Sequence, residues 1–462
     1  MFNRLQNSIL TTFSVTSCIQ TISVYLYVLF MTHNSAEVEY ASYISTTYIV
    51  DFAVTISLFG FNLLILREPE RYIKDNIISI FASSLILSCI IYFIWFIASE
   101  NVPTSNYILC FILIILQYSY QLGTCLLIKF KCNTIAFINA IVNLGFVVSS
   151  LSVLANNDTI TCQNVLITRI IQLTIFGIIC YAYVLRYILP IKQPTISSFI
   201  QNFKYAIPIG GGSILGAAIL FVDKLILSTQ TADDIATYSV ARFEIPFVGI
   251  FITNLSLVYI PKIQEALKRN DINDVQSAIR NLFRYGWYLN IIVFTLLFCN
   301  ANYIITTLYS AQYSAASVLF QIISCTYILK IVPYTNIIIA LGIERIIIPR
   351  LCIEMVIQIC ASILFLHLWG ITGLAISVIF VLVMWSIPYN IHYFKKTTHS
   401  TFEELIPYKE MLLFFIKCFV PCFIIVTYAN NKFGLVYGVV ASIIYIIAVN
   451  LKELKYLYKN TR

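Results

Sequence analysis

Charge is what this sequence has least of. Only 11% of its 462 residues are Asp, Glu, Lys or Arg, whereas 60% are hydrophobic, and the mean hydropathy is +0.86. A soluble domain keeps about a quarter of its residues charged, so a water-facing surface wrapped around one core is excluded and lipid is the solvent for most of the chain. Histidine is nearly absent: His33, His367, His392 and His399 lie too far apart in sequence to suggest a zinc or haem site. The 13 cysteines form no C-x-x-C pair and no Cys/His cluster; they read as small packing residues inside apolar runs, and no cofactor and no metal are expected. The run Gly210-Gly211-Gly212-Ser213 lacks the strand before it and the Lys-Ser/Thr after it that a phosphate loop needs. A net charge of +8 does not by itself imply nucleic acid. The first apolar run follows Arg4, is long and rich in Ser and Thr, and lacks a small-residue cleavage site, so it reads as a retained first helix.

What the chain has in quantity is long apolar runs. A bilayer core takes about 20 residues of helix, and only helices or closed barrels satisfy the backbone there; runs this long exclude the barrel. The pattern predicts an all-α polytopic membrane protein with fourteen spans, at roughly 8–30, 42–66, 76–98, 107–128, 134–155, 164–185, 205–229, 235–260, 285–308, 316–341, 350–368, 371–391, 411–429 and 434–451. The boundary at Trp369 and Gly370 matters most, because one bent helix there would reverse the parity of everything after it. Outside the spans, every Lys and Arg except Lys432 falls on the N-terminal side. Such asymmetry predicts cytoplasmic N and C termini in a multi-pass membrane protein. External connections are short, which leaves no room for an outer catalytic domain. In the longer segment 261–284, Ile263, Leu267, Val275, Ile279 and Leu282 alternate with basic residues, reading as an amphipathic helix or helix pair on the membrane surface. Pro190 and Pro194 mark 191–204 as a linker. The expected division is a six-helix bundle at 1–190, a second at 205–391, and a loop with two extra helices at 392–462. Glu37, Glu39 and Tyr40 beside Asp233, Asp234 and Tyr238 form a weak internal repeat, and repeated bundles would hold a cavity between them.

Several stretches resemble one family. Phe203-Lys-Tyr-Ala-Ile-Pro-Ile-Gly-Gly-Gly-Ser213, Phe221-Val-Asp-Lys-Leu-Ile-Leu227 and Tyr238-Ser-Val-Ala-Arg242 look like the second-half signature of polysaccharide repeat-unit exporters, the Wzx-type O-antigen flippases of the multidrug/oligosaccharidyl-lipid/polysaccharide (MOP) exporter superfamily. Leu308-Tyr309, Gln312-Tyr313 and Trp369-Gly-Ile-Thr-Gly-Leu-Ala375 are similar as well. The resemblance implies a V-shaped, MATE-like pair of bundles. It also implies a flippase, not an enzyme, that carries an undecaprenyl-pyrophosphate-linked oligosaccharide, an O-antigen or capsule repeat unit, to the periplasmic leaflet in lipopolysaccharide or other polysaccharide biosynthesis. Coupling to H+ or Na+ entry, a lipid surround and a monomer are implied with it. Whether it works alone or beside a repeat-unit polymerase and chain-length regulator stays open.

Such a path needs polar and cationic side chains where exposed polarity is heavily penalised. On the first span Thr12, Thr16, Gln20, Ser23 and Tyr27 share one face, available to sugar hydroxyls or back-bonded to their own helix. Arg169, Lys224, Arg242 and Lys330 are the anion-binding candidates. Asp223 and Arg242 stand at nearly equal depth on either side of a short outer turn, as a structural pair or a gate. Asp51 and Glu244 are the candidates for ion coupling. Glu354 and Lys417, near one face, read as snorkelling structural residues. Pro208 and the glycines at 210, 211, 212 and 216 predict either a hinge or tight packing. The alternative is a multidrug cation antiporter of the same superfamily, though five basic residues against the acids Asp51, Asp223, Glu244 and Glu354 within the spans favour an anionic substrate. A polymerase would need a large external loop, and an acyltransferase a histidine constellation, neither of which is present.

Overall fold

With no water in a bilayer core, each segment must close its own backbone hydrogen bonds, and this chain does so as helix throughout. The structure, a computed structural model, describes residues 2–67, 69–98, 104–130, 132–156, 160–189, 193–242 and 246–460, and among these there is no strand. In order the helices are α1 (Phe2–Asn34), α2 (Glu37–Leu58), α3 (Phe61–Arg67), α4 (Glu70–Ala98), α5 (Thr104–Lys129), α6 (Asn133–Leu154) and α7 (Cys162–Ile188). Next come α8 (Ile196–Leu227), α9 (Ala232–Ala241), α10 (Pro246–Lys268), α11 (Ile272–Cys299), α12 (Ala301–Leu308), α13 (Ala316–Leu329) and α14 (Tyr334–Ala340). The chain ends with α15 (Ile347–Val381), α16 (Ile387–Thr398), α17 (Phe402–Leu405), α18 (Tyr408–Phe433) and α19 (Leu435–Asn460). Each of the fourteen expected spans falls on helix. Among the described residues, eight helical segments are long and apolar enough to cross a membrane by length and composition. The protein is an all-α polytopic membrane protein.

Several spans that the sequence presents as continuous are interrupted. Span 42–66 breaks between α2 and α3 at Phe59 and Gly60, both with positive φ. Span 235–260 is covered by α9 and α10, with a turn at Arg242 after α9. Span 285–308 turns at Asn300 between α11 and α12, and 316–341 unwinds over 330–333 between α13 and α14. The reverse holds at Pro208, where α8 runs straight through. A side chain added at Gly211 or Gly216 would meet open space, so tight packing does not account for those two glycines.

The division at Trp369 and Gly370 is real. Trp369 (φ −133°, ψ 15°) and Gly370 (φ 60°, ψ −148°) leave helical geometry inside α15. Ser362 and Ser377, which a straight helix would hold about 22 Å apart at 1.5 Å per residue, share a hydrogen bond of 3.0 Å, and Gln358 Nε2 donates to Ser377 Oγ at 3.2 Å. The Phe365 and Phe380 rings meet edge to face with centroids 5.3 Å apart. Two antiparallel arms therefore meet at a tight corner, and Gly373 is required there because a Cβ would collide with the Phe365 carbonyl.

By packing, the chain separates into Met1–Ala236 and Thr237–Arg462, a boundary inside α9, so α8 groups with α1–α7. In the second unit, segment 261–284 proves to be the ends of two long helices. Asp271 accepts from the Asp274 N–H at 3.1 Å to cap α11. Val275, Ile279 and Leu282 are buried against Ile337, Phe394, Leu405 and Met411, so protein rather than a membrane surface covers that apolar face. Arg284 Nε lies 2.8 Å from Glu410 Oε2, tying α11 to α18.

Replacing Gly373 with Val is expected to destabilise the protein by about 1–3 kcal/mol through overpacking, read as a lowered unfolding midpoint in detergent, with Gly211→Val, in open space, as the neutral control.

Candidate functional site

In the first unit, α7 carries Val165, Arg169, Gln172, Leu173 and Phe176 on its buried face, the spacing of one helical stripe. Two caps hold its N-terminal end. Thr161 accepts from the Asn164 N–H at 3.4 Å, and Glu39 Oε2 of α2 accepts from the Cys162 N–H at 2.6 Å, a carboxylate placed where the helix dipole favours it. Arg169 then lies seven residues, about 10 Å, into the helix.

Arg169 is 4% exposed. Its Nη2 donates to Gln117 Oε1 at 2.8 Å, and Gln117 Nε2 donates to Asp51 Oδ1 at 2.7 Å. Arg169 Nη2 stands 3.7 Å from the same Asp51 oxygen, so one amide from α5 relays between the two charges. Tyr43 is buried beside the guanidinium. A second relay runs alongside. Tyr27 donates to Gln172 Oε1 at 2.9 Å, Gln172 Nε2 to Asn143 Oδ1 at 2.5 Å, and Asn143 Nδ2 to the Tyr120 hydroxyl at 3.0 Å. Between the relays is a cleft of about 80 Å³, lined by Gln20, Ser23, Tyr27, Gln117, Asn143 and Arg169 among others. That is room for on the order of five waters. Two buried donors border it, Arg169 Nη1 and Gln20 Nε2, and the phenols of Tyr43 and Tyr120 interact with these two side chains. A guanidinium and several amides on one small cavity make it receptive to water or another acceptor.

Of the residues singled out from sequence, the structure brings Gln20, Ser23, Tyr27, Asp51 and Arg169 to this one place. Ser23 Oγ also donates to the Ile19 carbonyl at 3.0 Å, the local back-bond. Thr16 is buried on α1, whereas the Thr12 side chain and Glu244 lie outside the described residues. Lys224 stands apart from the cleft on α8, with Nζ 5.1 Å from the Tyr48 ring centroid and 4.9 Å from that of Phe221, a cation–π setting. Asp223 is buried on α8 in the first unit, and Arg242, buried after α9, belongs to the second. Gln117, Tyr120, Asn143 and Gln172 were not singled out. Their signal was an amide or phenol in the middle of an apolar run.

The second unit has its own polar cluster. Lys330 ends α13 with non-helical geometry (φ −88°, ψ 52°). Asn290 Nδ2 donates to the freed carbonyls of Lys330 and Ile331 at 3.4 and 3.3 Å. Gly286 is needed opposite, since a Cβ there would strike the Ile331 carbonyl. Glu354 does not snorkel: it is 7% exposed, with Oε2 3.7 Å from Arg350 Nε, and Arg350 Nη1 donates to Asn390 Oδ1 at 2.9 Å. The neighbouring stretch Leu382–Ser386 is a π-helix, a wider turn that recurs at functional sites.

A helical fold with polar groups sequestered inside its membrane bundles is the class of structure found among transporters, and the comparisons agree at the level of fold. The structure of the lipid II flippase MurJ in an inward closed conformation superposes with a TM-score of 0.69 over 96% of this chain and 99% of that one, at 15% identity. An inward-facing MATE multidrug resistance transporter of the MOP superfamily gives 0.63 over 84% and 98%, at 12% identity. A MOP superfamily transporter from Pyrococcus furiosus, described as having a binding pocket of reverse polarity, gives 0.53 over 86% and 97%, at 10% identity. No protein-family model and no curated protein sequence matches the chain.

Replacing Gln117 with Leu removes hydrogen bonds to both Asp51 and Arg169 and is expected to cost about 1.5–3 kcal/mol, measured as a loss of thermal stability in detergent that Gln117→Glu, lacking the donor to Asp51, does not restore.

Proposed function

We propose that the protein is a flippase that moves an undecaprenyl-pyrophosphate-linked oligosaccharide, an O-antigen or capsule repeat unit, from the cytoplasmic to the periplasmic leaflet of a bacterial inner membrane. The observation that carries this reading is Arg169: a buried guanidinium on a cleft otherwise lined by neutral amides, hydroxyls and apolar groups. An intramembrane cation costs several kcal/mol unless it has work to do, and the fork geometry of arginine suits phosphate oxygens. The amides of Gln20, Gln117 and Asn143 offer the paired donors and acceptors that sugar hydroxyls take. The fold shared with a lipid II flippase supports a lipid-linked cargo, whose tail stays in the bilayer while the head group crosses. Lys330 and Arg242, held in the second unit, are proposed as further contacts along the path, and the basic ends of the helices as its cytoplasmic side.

A multidrug cation antiporter is the second reading, favoured by one observation: Asp51 is 34% exposed and accessible to a cation. The neighbouring Arg169 argues against it, since a cation entering the cleft would meet a like charge at low dielectric.

Reconstitution into liposomes with a fluorescent lipid-pyrophosphate-linked saccharide separates the two. Label should reach the far leaflet only with the protein present, and Arg169→Gln should slow this about ten- to hundredfold at equal protein level, the loss of a charge-assisted contact. Efflux of an organic cation with no movement of lipid would establish the antiporter instead.

A further inference from the structure

Beside the turn that joins α10 to α11 is another cavity, lying wholly within the second unit. It holds about 420 Å³, inside the range of about 300–1,000 Å³ over which proteins take small molecules. Two helical stripes make its walls. On α10, Tyr259, Lys262 and Arg269 follow one another at spacings of three and seven, and on α11, Asp274, Asn281 and Tyr285 at seven and four. The two tyrosines are buried, with ring centroids 6.2 Å apart, and close the end of the cleft away from the turn. At the other end Arg269 Nη2 meets Asp274 Oδ2 at 3.3 Å. Glu265 and Ser277 complete the length between, and Ala278 is the one wholly apolar side chain among the described residues that line it.

Such a lining selects by charge and polarity. Small-molecule sites are mostly apolar, whereas this one gives a hydrophobic guest nothing to replace the water around its polar groups. Two cations and two carboxylates leave it neutral, so an anion meets Glu265 and Asp274 while a cation meets Lys262 and Arg269. The Tyr259 ring, a surface on which an organic cation would stack, already carries Lys262, whose Nζ lies 5.0 Å from its centroid. Metal chelation is not offered either, since among the described residues no three His, Cys, Asp or Glu side chains gather. A neutral guest whose groups both donate and accept is what the walls fit. Each saccharide hydroxyl does both; here Glu265 and Asp274 accept, Lys262 and Arg269 donate, and Ser277 and Asn281 do either. The tyrosine pair offers an aromatic surface to the C–H face of a sugar ring.

We infer that the cleft between α10 and α11 is a binding site for a neutral oligosaccharide, separate from the polar cleft around Arg169. Binding needs only the sugar. The site's part in transport, which rests on the flippase reading, is to take up the saccharide end of the cargo at the basic ends of the helices and to select among sugars there. Lys262, Glu265 and Arg269 are exposed, so a free sugar reaches the cleft from water and its binding is measurable apart from transport.

The test is saturation-transfer NMR on the full chain in lipid nanodiscs, with neutral disaccharides built from glucose, galactose, mannose and N-acetylglucosamine. Inorganic phosphate and tetraphenylphosphonium serve as the charged comparisons. At least one disaccharide should bind, and Ser277→Trp, which fills the cleft from an exposed position, should abolish its binding. Glu265→Gln, a change of charge at constant shape, should weaken it about tenfold through loss of a charge-assisted hydrogen bond. Gln264→Trp, exposed on α10 and outside the cleft, should leave it unchanged. Binding of no disaccharide, or binding that both Ser277→Trp and Glu265→Gln leave intact, overturns the site. So does binding of phosphate or tetraphenylphosphonium in place of every sugar. Disaccharide binding in the expected pattern, with no flipping of any lipid-linked saccharide, upholds the site and overturns the flippase reading. Flipping by Ser277→Trp at the unaltered rate overturns the site's part in transport and leaves the flippase reading standing.

Discussion

A guanidinium inside a lipid-bounded bundle must be surrounded by hydrogen-bonding groups from the protein, because the bilayer supplies none. Arg169 imposes that requirement on the first unit. Meeting it takes an amide from α5 and a carboxylate from α2, and a second relay of amides and phenols from α1, α5, α6 and α7 runs alongside. Each group is oriented by the next, since a Gln or Asn that both donates and accepts can point only one way. The helices that contribute them are otherwise apolar and would slide past one another with little penalty in lipid, where no hydrophobic force drives them together. The polar network gives them register.

The second unit meets the same constraint differently. There backbone rather than side chain is exposed, by the break between α13 and α14, and Asn290 with Tyr334 takes up the freed carbonyls. Non-helical backbone at such depth is tolerated only where protein or a water-filled cavity surrounds it. Arg350 and Glu354 compensate one another one helical turn apart, and Arg350 also donates to Asn390. Both units thus hide polarity inside the bundle and leave lipid-facing surfaces such as Leu412, Leu413, Ile416 and Ile424 of α18 apolar.

Much of the fold was legible in the sequence because lipid makes one rule dominate: long apolar runs must be helices. The corner at Trp369 and Gly370 was legible too, since a glycine among bulky apolar residues marks a turn and basic residues fix the parity. Breaks at Phe59, Asn300 and Lys330 were not, because their cause is tertiary; Asn290 stabilises Ile331 from 41 residues away. The same limit applied to segment 261–284, whose apolar face reads as membrane-binding until Phe394 and Met411 are seen to cover it. Of the candidate site, charge and a polar stripe pointed to Arg169, Asp51, Gln20 and Ser23, and intramembrane ionisable residues are rare enough to stand out. Gln117, Asn143 and Gln172 passed as ordinary polar residues, since nothing local says that three amides on three helices converge. Glu354 was misjudged for a related reason: depth along one helix says nothing of what packs beside it.

The account turns on Asp51 and Arg169 acting as one coupled unit through Gln117. A double-mutant cycle with Asp51→Asn and Arg169→Gln, read as unfolding free energy in lipid nanodiscs, measures that directly. A coupling energy of about 1 kcal/mol or more between the two sites is the expected result. Strictly additive losses would show that the two residues stand near one another without interacting, and the polar cleft would lose its organising pair.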